Sequence, residues 1–321
     1  MPGAASSGGV DIAARGYRGR PVLVAGAGVT GAACARALAA AGAEVSIINP
    51  VEDERLTRLA DEGFETVVAP VPSTALLRRV TELVVSPFFG PTHPLVRVSL
   101  DAGLEVYCEP ELAWRLRPAG AAPWLALTGT NGKTTAVTML AAILSAAGLR
   151  NRAVGNIGEP LIDAVLAGSD DVLAVELSSY QLHWSSTMAP QAGAFLNLAD
   201  DHLDWHGSPD AYSAAKTAVW RSAGDDDPEP DRSEQDRPAA DRSAVAAGGT
   251  AIGNADDPRV AALLARVPGR RVSFTLGEPA RGQLGVLDGV LVDRAFGDDA
   301  ALCEAATVRP AGPHNVANAL A

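Results

Sequence analysis

Twice in this chain a short apolar run breaks into a glycine turn and passes at once into a helical stretch of small residues. The first is V-L-V-A at 22–25, followed by G-A-G-V-T-G at 26–31 and an alanine-rich run to Ala41. The second is W-L-A-L at 124–127, followed by G-T-N-G-K-T-T at 129–135 and a helical pattern over 134–147. A buried strand that turns tightly into a helix returns by a crossover to a parallel neighbour, with the helix covering the sheet. The pattern repeats. Gly42 stops the first helix; a strand is expected at 44–48, a helix at 52–62, a strand at 66–69, a helix at 73–79 and a strand at 83–86. Further buried strands are expected at 172–175 and 194–198. The fold class is therefore α/β with doubly wound parallel sheets. The P-A-G-A-A-P stretch at 118–123 reads as a linker, which divides the chain into domains at 1–120 and 121–321.

Composition removes several function classes. The chain has 321 residues, 47% hydrophobic and 20% charged, which suits about two folded domains of ~100–200 residues each. A net charge of −12 argues against a general nucleic-acid or anionic-membrane binder. Cys34, Cys108 and Cys303 are too few and too scattered for a disulfide framework. The first twenty residues lack an apolar core and no run of about 18 apolar residues occurs, so neither a signal peptide nor a membrane span is expected. A cytoplasmic monomer is the expectation. The segment 225–242 holds eight acids, three arginines and no aromatic residue, and reads as a mobile surface loop. More telling is the basic set. Of 26 basic residues only Lys133 and Lys216 are lysines. Arginine replaces lysine freely on a surface, but neither as a compact charge in a phosphate loop nor as an amine that must lose its proton.

Lys133 lies in the second glycine turn. Backbone N–H groups of Gly129, Thr130, Asn131, Gly132 and Thr135, with the helix N-terminus, would cradle phosphates; Lys133 would add charge and the Thr134 hydroxyl would reach Mg²⁺. The strict P-loop spacing is not met, since Leu127 stands at the first glycine position. Gly26, Gly28 and Gly31 match the Rossmann-type dinucleotide turn, but the second strand ends in Asn49-Pro50 where an acid would take the ribose of NAD. A phosphate-binding turn is the favoured reading there, with a purely structural turn as the alternative. Glu176 follows an apolar strand at 171–175, at the end that faces a ligand crevice in a parallel sheet. The stretch N-L-A-D-D-H-L-D-W-H at 197–206 also follows a strand. His202 and His206 would share a helical face, but Gly207 favours a loop, and its acids and imidazoles suit either solvent or an Mg²⁺-phosphate site. Ser208-Pro209-Asp210 starts a helix that should carry Tyr212, Lys216 and Trp220 along one side.

Seven motifs occur in an order that resembles the Mur ligases, the ATP-dependent enzymes that add amino acids to the peptidoglycan precursor. They are T-G-T-N-G-K-T-T, G-N-I-G at 155–158, E-L-S-S-Y-Q-L from Glu176, N-L-A-D-D-H-L-D, Y-S-A-A-K ending at Lys216, G-N-A-D-D at 253–257 and G-P-H-N-V-A-N-A-L. E-L-S-S-Y-Q-L, with a first domain opening directly on G-A-G-V-T-G, is most similar to the member that adds D-glutamate to UDP-N-acetylmuramoyl-L-alanine. D-H-L-D-W-H-G also resembles the diaminopimelate- or lysine-adding member. The resemblance implies a Rossmann-like substrate domain and an ATP-binding central domain. It places ATP phosphates on Lys133 and its loop, one Mg²⁺ on Thr134 and Glu176, and a second on His202 and Lys216, the latter as a CO₂-derived carbamate. It places the muramoyl part on Asn156, Gln181 and His202, the uridine diphosphate on Val29, Thr30 and Ser86, and the adenine near Asn318.

Two positions depart from the family pattern. An acid is usual near Asn49, and an S-P-G turn is usual where this chain reads Ser86-Pro87-Phe88-Phe89-Gly90. Family members also have a third domain that brings the amino acid; the chain stops at Ala321 in an apolar run, so that domain is expected to be absent and the central domain incomplete. Nucleotide or UDP-substrate binding is then the most that is expected of the chain alone. The rival readings are a folylpolyglutamate-synthase-like ligase, whose loop reads G-K-G-S, an NAD-linked oxidoreductase resting on Gly26, Gly28 and Gly31 alone, and a non-catalytic nucleotide-binding protein.

Overall fold

A computed structural model describes residues 16–224 and 249–321; the loop expected at 225–242 lies outside them. The chain divides into two units, Met1–Ala121 with Pro160–Gly168, and Ala122–Glu159 with Ser169–Ala321. The division falls inside the 118–123 stretch, but the short segment at 160–168 clusters with the first unit rather than with its sequence neighbours.

In the first unit, strand and helix alternate: β1 (Pro21–Ala25), α1 (Val29–Ala40), β2 (Glu44–Asn49), α2 (Glu54–Asp61), β3 (Glu65–Val68), α3 (Thr74–Leu77), β4 (Glu82–Val85), α4 (Pro94–Asp101), β5 (Glu105–Cys108) and α5 (Glu109–Leu116). The strands pair in parallel in the order β3-β2-β1-β4-β5. Val22, Leu23, Val24, Leu83 and Val84 are 2% exposed or less, which is why these strands read as unbroken apolar runs. Asp53 and Ser73 cap α2 and α3 through their side chains. A Cβ on Gly31 would stand 2.0 Å from the Gly26 carbonyl oxygen, so only glycine lets α1 start this close to β1. The strand order reverses direction between β1 and β4, which leaves the loops after these two strands on either side of a crevice.

Helix α7 (Leu161–Ala167) is the inserted piece of this unit. Its start is held by Glu109, whose Oε1 accepts from the Ile162 N–H at 2.7 Å. Glu109 is buried, and burial pushes its carboxyl up to about 7.

The second unit contains β6 (Trp124–Thr128), α6 (Lys133–Ala146), β7 (Asn151–Gly155), β8 (Val172–Glu176), α8 (Ser179–His183), β9 (Ala192–Phe195), α9 (Leu203–His206), α10 (Pro209–Thr217), β10 (Thr250–Asn254), α11 (Pro258–Leu264), β11 (Arg270–Phe274), β12 (Gln283–Leu287), β13 (Val290–Asp293), β14 (Ala300–Glu304) and α12 (Pro313–Leu320). They build one sheet in the order β14-β13-β12-β11-β10-β9-β6-β8-β7. From β7 to β12 the neighbours are parallel; β12, β13 and β14 form an antiparallel meander at the edge. Its first turn is Asp288-Gly289, with φ 50° and 81°, the left-handed pair that a two-residue hairpin prefers. Trp220 does not continue the α10 face. The chain tightens into a 3₁₀ helix at Ala218–Gly224, where the indole N–H points between the Gly193 and Ile252 carbonyls, 3.0 Å from each. Gly193 permits this: a Cβ there would meet the Val219 carbonyl oxygen at 2.0 Å.

Because the fold raises the Glu109 pKa from 4.5 to about 7, this carboxyl favours the native state fully below about pH 4.5, and that contribution is lost as pH rises through about 7. Glu109→Gln keeps an acceptor for Ile162 and removes the buried charge. Urea unfolding should show this variant gaining on the parent from pH 5 to pH 8, by on the order of 2–3 kcal/mol at the upper end. A pH-independent difference would count against the assignment.

Candidate functional site

β6 occupies an inner position, with β8 and β9 on its two sides, so three strand ends and their loops converge at one edge. The turn after β6 runs from Gly129 to Gly132 and enters α6 at Lys133. Gly132 sits at φ 82°, and a Cβ there would come 2.7 Å from the Asn318 Oδ1. Asn318, on α12, thus stands directly against the turn, with its amide donating to the Asn315 Oδ1 at 3.2 Å.

The turn is fixed from the β9 side. The Asn131 N–H donates to the Asn197 Oδ1, and the Asn197 amide returns to the Asn131 carbonyl, each at 2.9 Å. The Thr130 hydroxyl oxygen accepts from the Ala199 N–H at 3.0 Å and lies 3.0 Å from the Tyr212 hydroxyl. The N–H-rich turn is held in one shape before any ligand arrives, as an anion cradle requires.

Both lysines of the chain converge on the Gly129 carbonyl. Lys133 Nζ donates to it at 3.0 Å and to the Thr130 carbonyl at 3.1 Å. Lys216 Nζ donates to it at 2.7 Å and to the Thr128 hydroxyl at 3.3 Å, and lies 4.9 Å from the Tyr212 ring centre. Lys216 is 1% exposed. Burial lowers its pKa to about 7, helped by the Lys133 charge and opposed by Asp201. Burial also lowers Lys133, against the opposing charges of Glu176 and Asp201.

Glu176 ends β8 and is 1% exposed. Its Oε2 accepts from the Thr134 hydroxyl and its Oε1 from the Asn156 amide, both at 2.9 Å. The strand expected at 171–175 is thus shifted by one residue, to 172–176, and this brings the carboxylate to Thr134. One hydroxyl and one carboxylate are hard oxygen donors of the kind Mg²⁺ takes, with phosphates and water completing its shell. Among the described residues no cluster of three or more His, Cys, Asp or Glu could hold a metal by itself. The donor set fits a metal that arrives with a nucleotide.

The loop expected at 202–206 is instead the one-turn α9. His202 begins it at φ 53°, its carbonyl accepting from the His206 N–H at 3.0 Å. The His202 ring lies 4.8 Å from Tyr180 and 6.2 Å from Tyr212. His206 Nε2 lies 3.0 Å from the Ser179 hydroxyl, and burial brings its pKa down to about 4, leaving it neutral. Gln181 closes the α8 capping box: its Oε1 accepts from the Ser178 N–H at 2.9 Å and from the Ser178 hydroxyl at 3.1 Å. Lys133, Thr134, Asn156, Glu176, Lys216 and Asn318 are thus linked around one turn, and His202 joins them through Tyr212. Tyr212, Asn197 and Ala199 support the turn; the sequence placed Tyr212 beside Lys216 and Asn197 and Ala199 in the stretch just past a buried strand, but gave none of them a role in the site. Val29, Thr30 and Ser86 belong to the first unit, Val29 and Thr30 at the start of α1 and Ser86 directly after β4.

Residues 127–228 match the Mur ligase middle domain family. The chain is 45% identical over 313 residues to the UDP-N-acetylmuramoylalanine–D-glutamate ligase of Streptomyces avermitilis, covering 95% of this chain and 63% of the relative. It is 46% identical over 321 residues to the same-named ligase of Thermobifida fusca, with the same coverage. The chain thus spans about three fifths of the length of the curated relatives it matches. Among solved structures, UDP-N-acetylmuramate:L-alanyl-gamma-D-glutamyl-meso-diaminopimelate ligase from Neisseria meningitides aligns with a TM-score of 0.54 at 19% identity, covering 94% of this chain and 91% of that one. A murein peptide ligase from Psychrobacter arcticus aligns at 0.51 and 18% identity, over 94% and 64%. These two likenesses speak for the fold.

With only two lysines present, lysine labelled with ¹³C at Cε should give two side-chain signals. In CO₂-free buffer, the signal absent from Lys216→Arg should titrate with a midpoint near 7. A midpoint near the ordinary ~10.4 would overturn the described burial.

Proposed function

We propose that this chain, which carries a Mur ligase middle domain, acts in the ATP-dependent addition of D-glutamate to UDP-N-acetylmuramoyl-L-alanine. The observation that carries the reading is the meeting of both lysines on the Gly129 carbonyl, beside the paired Thr134 and Glu176. The choice of D-glutamate rests on the names of the relatives at 45 and 46% identity.

In this reading the 129–135 turn binds the ATP phosphates through its N–H groups, and the Lys133 ammonium leaves its two carbonyl partners for the β- and γ-phosphates. Thr134 and Glu176 would hold Mg²⁺, which supplies charge neutralisation at the transferring phosphoryl group. The L-alanyl carboxylate attacks the γ-phosphorus, the bond to ADP breaks, and an acyl phosphate forms. The D-glutamate amine then adds to the acyl carbon, loses a proton, and expels phosphate to leave the amide. Asn156, Gln181 and His202 would orient the muramoyl part, and Asn318 would lie near the adenine. The protein's work is to hold charge and geometry at the site of attack.

Lys216 has a separate part. Its buried amine suits carbamate formation: the nitrogen lone pair attacks CO₂, an N–C bond forms, a C=O pair moves to oxygen, and the amine proton leaves to water. The product would be an anion next to the Lys133 charge, and with His202 it would hold a second Mg²⁺, adding a further cation to neutralise phosphate charge. Arginine cannot follow this course, because its guanidinium stays protonated. In this reading ATP and a soluble UDP-sugar peptide, both cytoplasmic, are the partners of the site.

Calorimetric titration of this chain with Mg·ATP, UDP-N-acetylmuramoyl-L-alanine and NADH tests the reading. The first two should bind and NADH should not; NADH binding without the UDP ligand would reverse the conclusion. Lys133→Ala should weaken Mg·ATP by at least about tenfold while leaving the UDP ligand unaffected. In ¹³C-bicarbonate a carbamate carbon signal should appear in the parent and vanish in Lys216→Arg; its absence from the parent would remove the carbamate from the scheme.

A further inference from the structure

The G-N-A-D-D motif at 253–257 closes β10 and leads into α11, and its side chains reach the segment that follows β9. The Asn254 amide donates to the Leu196 carbonyl at 2.9 Å. Asp257 Oδ2 accepts from the Leu198 N–H at 2.7 Å. Its Oδ1 accepts from the Arg259 and Val260 N–H groups at 3.0 and 3.2 Å, and so caps α11. Arg259 in turn donates to the Asp200 carboxylate at 2.8 Å. Asp256 serves a different strand: its carboxylate accepts from the Thr275 hydroxyl at 2.6 Å and the Leu276 N–H at 2.7 Å, just past β11.

The segment after β9 also carries the contacts that fix the phosphate turn. The Thr130 N–H donates to the Asn197 carbonyl at 3.0 Å, beside the paired Asn131 and Asn197 and the bond from Ala199 to Thr130. Partners therefore alternate along it. Leu196, Leu198 and Asp200 are held by the motif and by Arg259, while Asn197 and Ala199 hold the turn. Leu198 lies between the two residues that grip the turn, so a shift at its N–H reaches both. The Asp200–Arg259 ion pair is exposed on both sides, and such pairs contribute little. The bond from Leu198 to Asp257 is of another kind: it is short, its acceptor is charged, and Leu198 is 6% exposed.

We propose that Asp257 is a positioning residue for the nucleotide phosphates: by holding Leu198 it fixes residues 197–199, and through them it keeps the 129–132 turn in one shape. The inference rests on the reading above that this turn binds ATP phosphates. A carboxylate suits the task because its two oxygens serve two elements, one the start of α11 and the other the segment after β9. Serine in its place is an equally good cap for α11, but its single oxygen leaves the Leu198 N–H without an acceptor. A turn that is no longer held must be ordered by the ligand, and that cost appears as lost affinity.

The test compares the parent, Asp257→Ser and Asp256→Ser by amide hydrogen exchange and by calorimetric titration with Mg·ATP and with UDP. In Asp257→Ser the Thr130 and Asn131 amides should exchange about tenfold faster and Mg·ATP should bind about tenfold more weakly, with UDP affinity unchanged. Asp256→Ser removes bonds from the same motif but from the β11 side, and should keep the parent's values for both. If Asp257→Ser does not fold, Asp257→Asn takes its place: its one oxygen stays with the two donors of α11, its NH₂ group faces Leu198, and the same changes are expected. Equal losses in the Asp256 and Asp257 variants would mean a general loosening of the strand ends, and overturn the proposal. Parent-like exchange and Mg·ATP binding in the Asp257 variant overturn it as well, while the nucleotide reading stands. If the parent binds no Mg·ATP, the nucleotide reading itself fails, and the exchange rates alone decide whether Asp257 fixes the turn.

Discussion

The Gly129 carbonyl is the point on which the second unit's site depends. It accepts from two amines, one at the start of α6 and one from the last turn of α10. Burial, helped by the neighbouring Lys133 charge, brings the Lys216 pKa down to about 7, so this amine gives up its proton far more readily than an exposed lysine. The surroundings follow. Tyr212 lies beneath the Lys216 amine and bonds the loop through Thr130. Asn197 and Ala199 hold the same loop from the end of β9. A strand end, a helix start and a second helix are thus fixed to a few polar atoms, which is the rigidity that phosphate positioning needs.

The first unit meets a related constraint by other means. Its glycine turn is tightened by the contact of Gly31 with Gly26 and by the Asn49 side chain. Asn49 thereby has both ends of its amide engaged in structure, so the residue at the expected ribose position is an internal tie. Val29 at the start of α1 and Phe88 in the loop after β4 are exposed apolar residues of this unit. The two units share an architecture, yet one presents charge and hydrogen-bond donors and the other a glycine turn with hydrophobic flanks.

Much of this was readable in the order of residues. Periodicity and glycine turns gave the parallel α/β class, because a buried strand running into a helix has few other solutions. The scarcity of lysine drew attention to Lys133 and Lys216 without any structure, since a phosphate loop or an amine that must lose its proton would not accept arginine. The antiparallel meander was missed, although Asp288-Gly289 between short apolar runs is a hairpin signal. The break after α10 was not readable. Helical spacing put Trp220 on the same face as Tyr212 and Lys216, and only the approach of Val219 to Gly193 in β9 explains why the chain tightens there. Nor did the sequence show that α7 belongs with the first unit, because that follows from its packing on α5 and α1, with the Glu109 carboxylate accepting from the Ile162 N–H 53 positions away.

By itself the sequence determined which groups this protein has to work with: two glycine turns between strand and helix, one carboxylate at a strand end, and two lysines among 26 basic residues. Local rules suffice for that, since strand, turn and helix starts are set by neighbours in the chain. Tertiary structure decided how those groups meet. It placed Glu176 opposite Thr134 and Asn156, brought Lys216 to the carbonyl beside Lys133, and engaged Gln181 in a helix cap. Distances of a few ångströms between residues some 40 to 90 positions apart are fixed by sheet register and packing, and no local pattern encodes them.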